Sequence, residues 1–197
     1  MYLLGRLDSG RFSPASSWVL RSRIRACLAA TSRGSPPFSI EAAGRTIAEA
    51  LRLAREGQLL RFIGPWLLST FAMCASDPAA RRAALDEGVE LLDRGCVGHN
   101  YYHFYAHAID ASADLGDLEA LAHWADALEA YTRPEPNPWA DFHIARGRAL
   151  ALALKGNRDA EAAAALRSVR ADAEALGFRS ALGRLDTAIA VHRSPSC

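Results

Sequence analysis

Apolar residues recur along this chain at intervals of three and four, and nowhere alternate with polar ones at a period of two. The first spacing is one face of an α-helix, and the second would mark a half-buried strand. A helix fits residues 15–31, and Gly34-Ser35-Pro36-Pro37 breaks it. Ser39 reads as the N-cap of the next helix, whose Ala43, Ile47, Ala50, Leu51 and Ala54 share a face through Glu56 before Gly57 ends it. Gly64-Pro65 precede a helix of Trp66, Leu67, Phe71 and Cys74, because the missing N–H of a proline costs nothing in a first turn. Asp77-Pro78 repeats that signal for a helix through Arg94, closed by Gly95. Asn100 reads as the cap of a helix to Leu115, and Gly116-Asp117 turns into another that ends near Tyr131. After Pro134 and Pro136, Asn137 caps and Pro138 starts a helix to Gly156. Asn157 caps a helix to Leu176, Gly177 stops it, and a last helix fits residues 179–192.

About nine helices joined by short loops predict an all-α fold. There is also a period: Pro37, Asp77, Asp117 and Asn157 stand at helix starts, each 40 residues after the last. One helix pair cannot bury its apolar face alone, so a pair repeated at that length predicts an α-solenoid of about four antiparallel pairs. The repeat domain is placed at residues 39–193, with a poorly ordered or partial-repeat N-terminus at 1–38 and a disordered tail at 194–197.

Composition adds limits. Of 197 residues, 50% are apolar and 23% charged, which is ordinary for a globular chain. A net charge of +1 gives no reason to expect nucleic acid or an anionic membrane as partner. No apolar run approaches the roughly 20 residues that span a bilayer. Cys27, Cys74, Cys96 and Cys197 form no CxxC pair, which points to reduced thiols in a cytoplasm. Residues 1–38 hold six Arg, many Ser and one acid, Asp8, a composition shared with organellar presequences. A remnant of an earlier repeat, with Trp18, Val19, Leu20, Ile24 and Leu28 on one face, fits them better.

Two resemblances follow. Gly116-Asp117, Ala120, Trp124, Ala127 and Leu128 are similar to the turn and second helix of a tetratricopeptide repeat, and Ala145, Ala149, Leu152 and Gly156 to the end of its first helix. Ile109 and Ser112 depart from that pattern, standing where a small residue and an aromatic are expected. The strings FIGPWLL, DPAARRAALDEGVELLDRGCVGHN and ALEAYTRPEPNPWADFHIARGRALA resemble the C-terminal helical-repeat region of bacterial multidomain regulators. Those proteins join a class III adenylate/guanylate cyclase domain to an NTPase domain and a repeat tail. The resemblance covers residues 61 to about 190 and implies a signalling role for the tail, without the cyclase chemistry. The phosphate-loop pattern GxxxxGK(S/T) does not occur in the chain.

Candidate chemistry centres on residues 95–147. His103, His107 and Asp110 are spaced by four and three and so share a helix face. Imidazole and carboxylate suit zinc, although a rise of about 10 Å between the outer two leaves only one adjacent pair for one ion, with another helix to supply the remaining ligands; His103 and His107 are the candidates. The competing expectation is a solvated His/Asp face, continued by Asp114, opposite a buried stripe of Tyr101, Phe104, Tyr105, Ala108, Ser112 and Leu115. Tyr101, Tyr102, Phe104, Tyr105, Trp124 and Tyr131 either line a ligand groove or fill the core. Arg146 and Arg148 near Asp141, and Arg81-Arg82, either clamp an anion or face solvent. Cys96 near His99 is either an activated thiolate or a buried thiol.

The expectation is a tetratricopeptide-like α-solenoid without catalysis and without a cofactor, located in the cytoplasm. Its partner would be a protein or peptide, with no nucleic acid or membrane and with homo-oligomers open. The residues expected to bind are Tyr101, Tyr102, His103, Tyr105, His107, Asp110, Trp139 and Arg146. The alternatives are a fragment of a class III cyclase protein lacking its catalytic domain, or a small metal-dependent enzyme using His103 and His107.

Overall fold

The computed structural model describes residues 40–155 and 160–193. The expected helix at 15–31, the N-terminal segment 1–38, the caps at Ser39 and Asn157 and the tail 194–197 lie outside the described residues. Within them the chain is all-helical: α1 (Ile40–Glu56), α2 (Leu60–Cys74), α3 (Pro78–Asp93), α4 (His99–Leu115), α5 (Leu118–Thr132), α6 (Pro138–Leu154), α7 (Ala160–Ala175) and α8 (Arg179–Arg193). None of these helices is long and apolar enough to cross a membrane.

Most helix boundaries follow from local chemistry. Asp77 accepts from the N–H groups of Ala79 and Ala80 at 3.0 and 3.3 Å, and Pro78 opens α3. Asp117 and Asn137 accept from Ala120 and Ala140 at 3.1 and 3.0 Å, capping α5 and α6. Gly116 closes α4 in the left-handed region at φ 66°, where a side chain would be strained.

Two expectations are corrected. Helix α2 starts at Leu60, so Pro65 lies inside it instead of in its first turn. Proline cannot donate to the carbonyl four residues back, which is that of Arg61. That carbonyl accepts instead from the Val97 N–H at 3.4 Å. Asn100 is likewise not the cap of α4: the helix starts at His99, and the Asn100 side chain is fully buried against α2. Its amide donates to Phe62 O at 2.9 Å and accepts from Trp66 N at 3.3 Å. A regular helix would pair those two backbone groups with each other. One amide thus splices into the turn that Pro65 disturbs.

Neighbouring helices pack closely. The start of α2 meets the end of α3 where Arg61 Nε donates to Gly95 O, so the two run antiparallel. The end of α5 meets the start of α4 where the Tyr131 hydroxyl donates to Gly98 O, giving the same orientation. Helices α2, α4, α6 and α8 form a second set of neighbours, α2 against α4, α4 against α6 and α6 against α8. Facing contacts such as Ser69–His107 and Asp110–Arg146 show that they run parallel. This packing is consistent with an α-helical repeat. One hydrophobic core runs from α1 to α8 through Leu51, Leu67, Phe104, Ile109, Leu121, Leu166 and Leu185. At Gly88 the α3 backbone lies against the buried Phe104 ring, and a Cβ there would fall 2.2 Å from Phe104 Cε2. Trp124 donates its indole N–H to Ser112 Oγ at 3.1 Å, a buried bond that accounts for a serine at an otherwise apolar position.

Asn100→Ala strips partners from the backbone of α2 at Phe62 O and Trp66 N and should lower the unfolding free energy by about 3 kcal/mol in a urea titration. Gly88→Ala should cost about 1–3 kcal/mol by overpacking. Arg52→Ala, which breaks exposed pairs within α1, should stay within about 0.5 kcal/mol of the parent protein.

Candidate functional site

The spacing of four and three places His99, His103, His107, Asp110 and Asp114 on one face of α4. That face is set between α2 and α6 instead of open to solvent. His103 stacks on Trp66 of α2, with centroids 4.0 Å apart and planes 11° apart. His99 meets Phe62 and Trp66 edge-on, each at 5.9 Å. From α6, Trp139 reaches the edge of His103 at 6.0 Å and lies 4.1 Å from His143. Phe178, at the turn into α8, lies 6.1 Å from His143. Rings from successive elements therefore form one strip across the helices. Phe62, at its α2 end, is 43% exposed.

Along α4 the strip becomes ionic. Arg146 of α6 is 3% exposed, and its guanidinium grips Asp110 at 2.8 Å through Nη1 and 3.1 Å through Nη2. Arg184 of α8 pairs with Asp114 and approaches Asp110 Oδ1 at 3.3 Å, while Arg81 of α3 lies 3.6 Å from Asp114. Three guanidiniums thus share two carboxylates. The contacts at Asp110 Oδ1 are close but lack hydrogen-bond angles, so they act through charge.

His107 Nδ1 sits 3.2 Å from Ser69 Oγ and 3.3 Å from Thr70 Oγ1. Both hydroxyls also donate to Trp66 O, at 3.0 and 2.8 Å. Burial pushes the pKa of His107 down to about 4 and that of His143 to about 2, and the positive charge of Arg146 adds to both effects. His99 and His103 are lowered as well, first by burial. The four rings are therefore neutral at pH 7. His143 Nδ1 and Arg146 Nε are buried without a hydrogen-bond partner.

Of the residues expected to bind, the structure brings His103, His107, Asp110, Trp139 and Arg146 together. Tyr102 stands at the edge, its ring 5.9 Å from Trp139 and its hydroxyl accepting from the Asn137 amide at 3.4 Å. Tyr101 and Tyr105 lie on another side of α4. Tyr101 donates to Leu92 O at 2.9 Å and stacks on Tyr131 at 4.4 Å, while Tyr105 stacks on Trp124 at 6.3 Å. Phe104 and Trp124 are core residues. Arg146 and Arg148 do not converge on Asp141: Arg148 turns to Asp126 and Glu129 of α5, at 2.7 and 2.9 Å. The Cys96 thiol donates to Leu91 O at 3.1 Å, and burial raises its pKa, the opposite of activation. His103 and His107 have ring centroids 6.0 Å apart, and among the described residues no three His, Cys, Asp or Glu side chains are placed to hold a metal ion. A cavity of about 430 Å³ near the α5–α6 turn, bordered by Glu129, Arg133, Asp141 and Arg148, shares no residue with the strip.

Trp66, Ser69, Thr70, His143, Phe178 and Arg184 escaped the search along the sequence because it followed single helix faces. A signal existed. Facing residues on neighbouring parallel helices are one repeat apart, 38 positions for Ser69 and His107 and 36 for Asp110 and Arg146. Carrying the α4 row forward and back by that interval finds the missing members.

Compared with protein-family models, with curated proteins and with solved structures, the chain matches none.

Acid should unfold the site. Above the ordinary pKa of 6.5, His107 and His143 are neutral in the folded and unfolded chain alike. Below it the unfolded chain takes up protons that the folded one refuses, so stability falls with pH. Each ring contributes a slope of about 1.4 kcal/mol per pH unit, down to about pH 4 for His107 and about 2 for His143. Urea titrations should show a loss of about 4 kcal/mol between pH 7 and 5, and His143→Phe should remove about half of it. A flat profile over that range would show that the rings are not desolvated.

Proposed function

We propose that this chain is a non-catalytic interaction or regulatory module, a tetratricopeptide-like α-solenoid whose parallel helices α2, α4, α6 and α8 present the recognition surface. The observation that carries this is the strip itself. Phe62, Trp66, His103, Trp139 and His143 make a partly accessible ring surface that is neutral at pH 7, and Arg146 and Arg184 bound it with charge. Aromatic rings and arginines carry most of the energy in protein interfaces, because they bury area at little entropic cost and keep a polar handle. The resemblance to the repeat tail of cyclase–NTPase regulators supports placing the module in a cytoplasmic signalling protein, where it would bias a catalytic neighbour. That support is analogy, and cyclase chemistry does not come with it.

The test is capture of a specific protein partner from bacterial lysate, followed by affinity measurement with variants verified as folded by circular dichroism. Trp66→Ala and Trp139→Ala should weaken the partner at least tenfold, about 1.4 kcal/mol or more each, while Arg52→Ala leaves it unchanged. Equal binding by all three would remove the strip from consideration. Incubation with ATP or GTP should yield no cyclic nucleotide, and formation of either would overturn the non-catalytic assignment.

A further inference from the structure

The ring strip is edged by hydrogen-bond donors that the fold itself leaves unused. Among the described residues the indole N–H groups of Trp66 and Trp139 meet no acceptor, whereas that of Trp124 is spent on Ser112 Oγ. Neither of the two is buried, so both reach the surface, and the side chains that carry them are half-buried. Tyr102 accepts from the Asn137 amide at 3.4 Å, which leaves its own hydroxyl proton to donate. These donors carry no charge, and His99 and His103 beside them stay neutral because burial lowers their pKa. Further along α4, the carboxylate of Asp110 is already held by Arg146. The strip between α2 and α6 is therefore aromatic, uncharged and rich in donors. Its two indoles are joined through His103, which stacks on Trp66 at 4.0 Å and meets Trp139 at 6.0 Å. They stand no farther apart than about one turn of a polyproline helix, three residues at about 3.1 Å each.

We infer that this strip docks a proline-rich segment of a partner protein, laid across α2, α4 and α6 in the extended polyproline conformation. The complement of a neutral donor surface is a neutral ligand that offers acceptors. Proline has a carbonyl and no N–H, and a polyproline helix makes no internal hydrogen bonds, so its carbonyls are free to accept from Trp66, Trp139 and Tyr102. Its pyrrolidine rings supply apolar contact for the aromatic faces, and its stiffness keeps the entropy lost on docking small. Other occupants match less well. An amphipathic helix spends its carbonyls on its own backbone and would leave the indoles undonated. An ordinary extended segment brings an N–H with every residue to a surface that offers few acceptors. An acidic segment would set carboxylates against desolvated, uncharged rings. Packed helices lie about 8–10 Å apart, close to one polyproline turn, so successive helices meet the same face of the peptide. This inference rests on the strip being a recognition surface and names the class of partner that it takes.

The experiment titrates acetylated, amidated decaproline into the full chain at pH 7 and follows the tryptophan indole N–H signals by NMR. Saturable shifts of the Trp66 and Trp139 signals are expected, with that of Trp124 unmoved. Trp66→Phe and Trp139→Phe keep an aromatic ring and lose the donor, and each should weaken binding about fivefold. No saturable shift, or undiminished binding by both Phe variants, would overturn the inference. A Ser-Gly decamer that binds as tightly as decaproline would overturn it too, because the surface would then not select proline. An amphipathic helical peptide or a glutamate-rich one binding more than tenfold tighter than decaproline would replace the proline-rich partner with a helix or an acidic segment. If decaproline fails while Trp66→Ala still abolishes capture of the protein partner, this inference falls and the recognition surface stands.

Discussion

One side-chain amide sets the register of the parallel helices. Pro65 opens the ladder of α2, and the start of α4 fills the opening with the Val97 N–H and the Asn100 amide. The Asn100 side chain is fully buried, so sliding α4 along α2 by even one residue would take its amide away from Phe62 O and Trp66 N and leave it unpaired. With Asn100 locked between Phe62 and Trp66, the next turn of α4 brings His103 over the Trp66 ring. The turn after that brings His107 to Ser69 and Thr70. The proline that would break an isolated helix is thus what docks this one.

The other end of α4 is fixed differently. Asp110 and Asp114 are held by arginines from α3, α6 and α8. Buried ion pairs contribute little net stability because desolvation offsets their attraction, but a mispaired one is costly. Their effect here is on arrangement: Asp110 accepts α6 only in the register that delivers Arg146. Amide bonds at one end and ion pairs at the other hold the intervening rings in line.

The helices were largely legible because their boundaries are written locally. Asp77-Pro78, Asp117 and Asn137-Pro138 cap as their side chains dictate, and the 40-residue interval between helix starts predicts repeated packing. Pro65 and Asn100 misled for one reason. Proline favours a first turn and asparagine a cap, but those preferences amount to about 1 kcal/mol and yield to a buried amide that satisfies several backbone groups. Arg146 was illegible for a related reason. An arginine on a helix defaults to solvent, and what draws this one inward stands 36 positions away. The α4 row was legible as a face, while its neighbours became visible only once the facing helices were placed.

The strip has a direction. Its rings are uncharged at neutral pH because they are desolvated, and they begin at the exposed Phe62. Its charge lies at the opposite corner, where Arg146 and Arg184 meet Asp110 and Asp114. The same burial that keeps the rings neutral makes the surface intolerant of acid. The neutrality of the rings and the acid sensitivity therefore have one physical origin, the enclosure of the α4 face between α2 and α6.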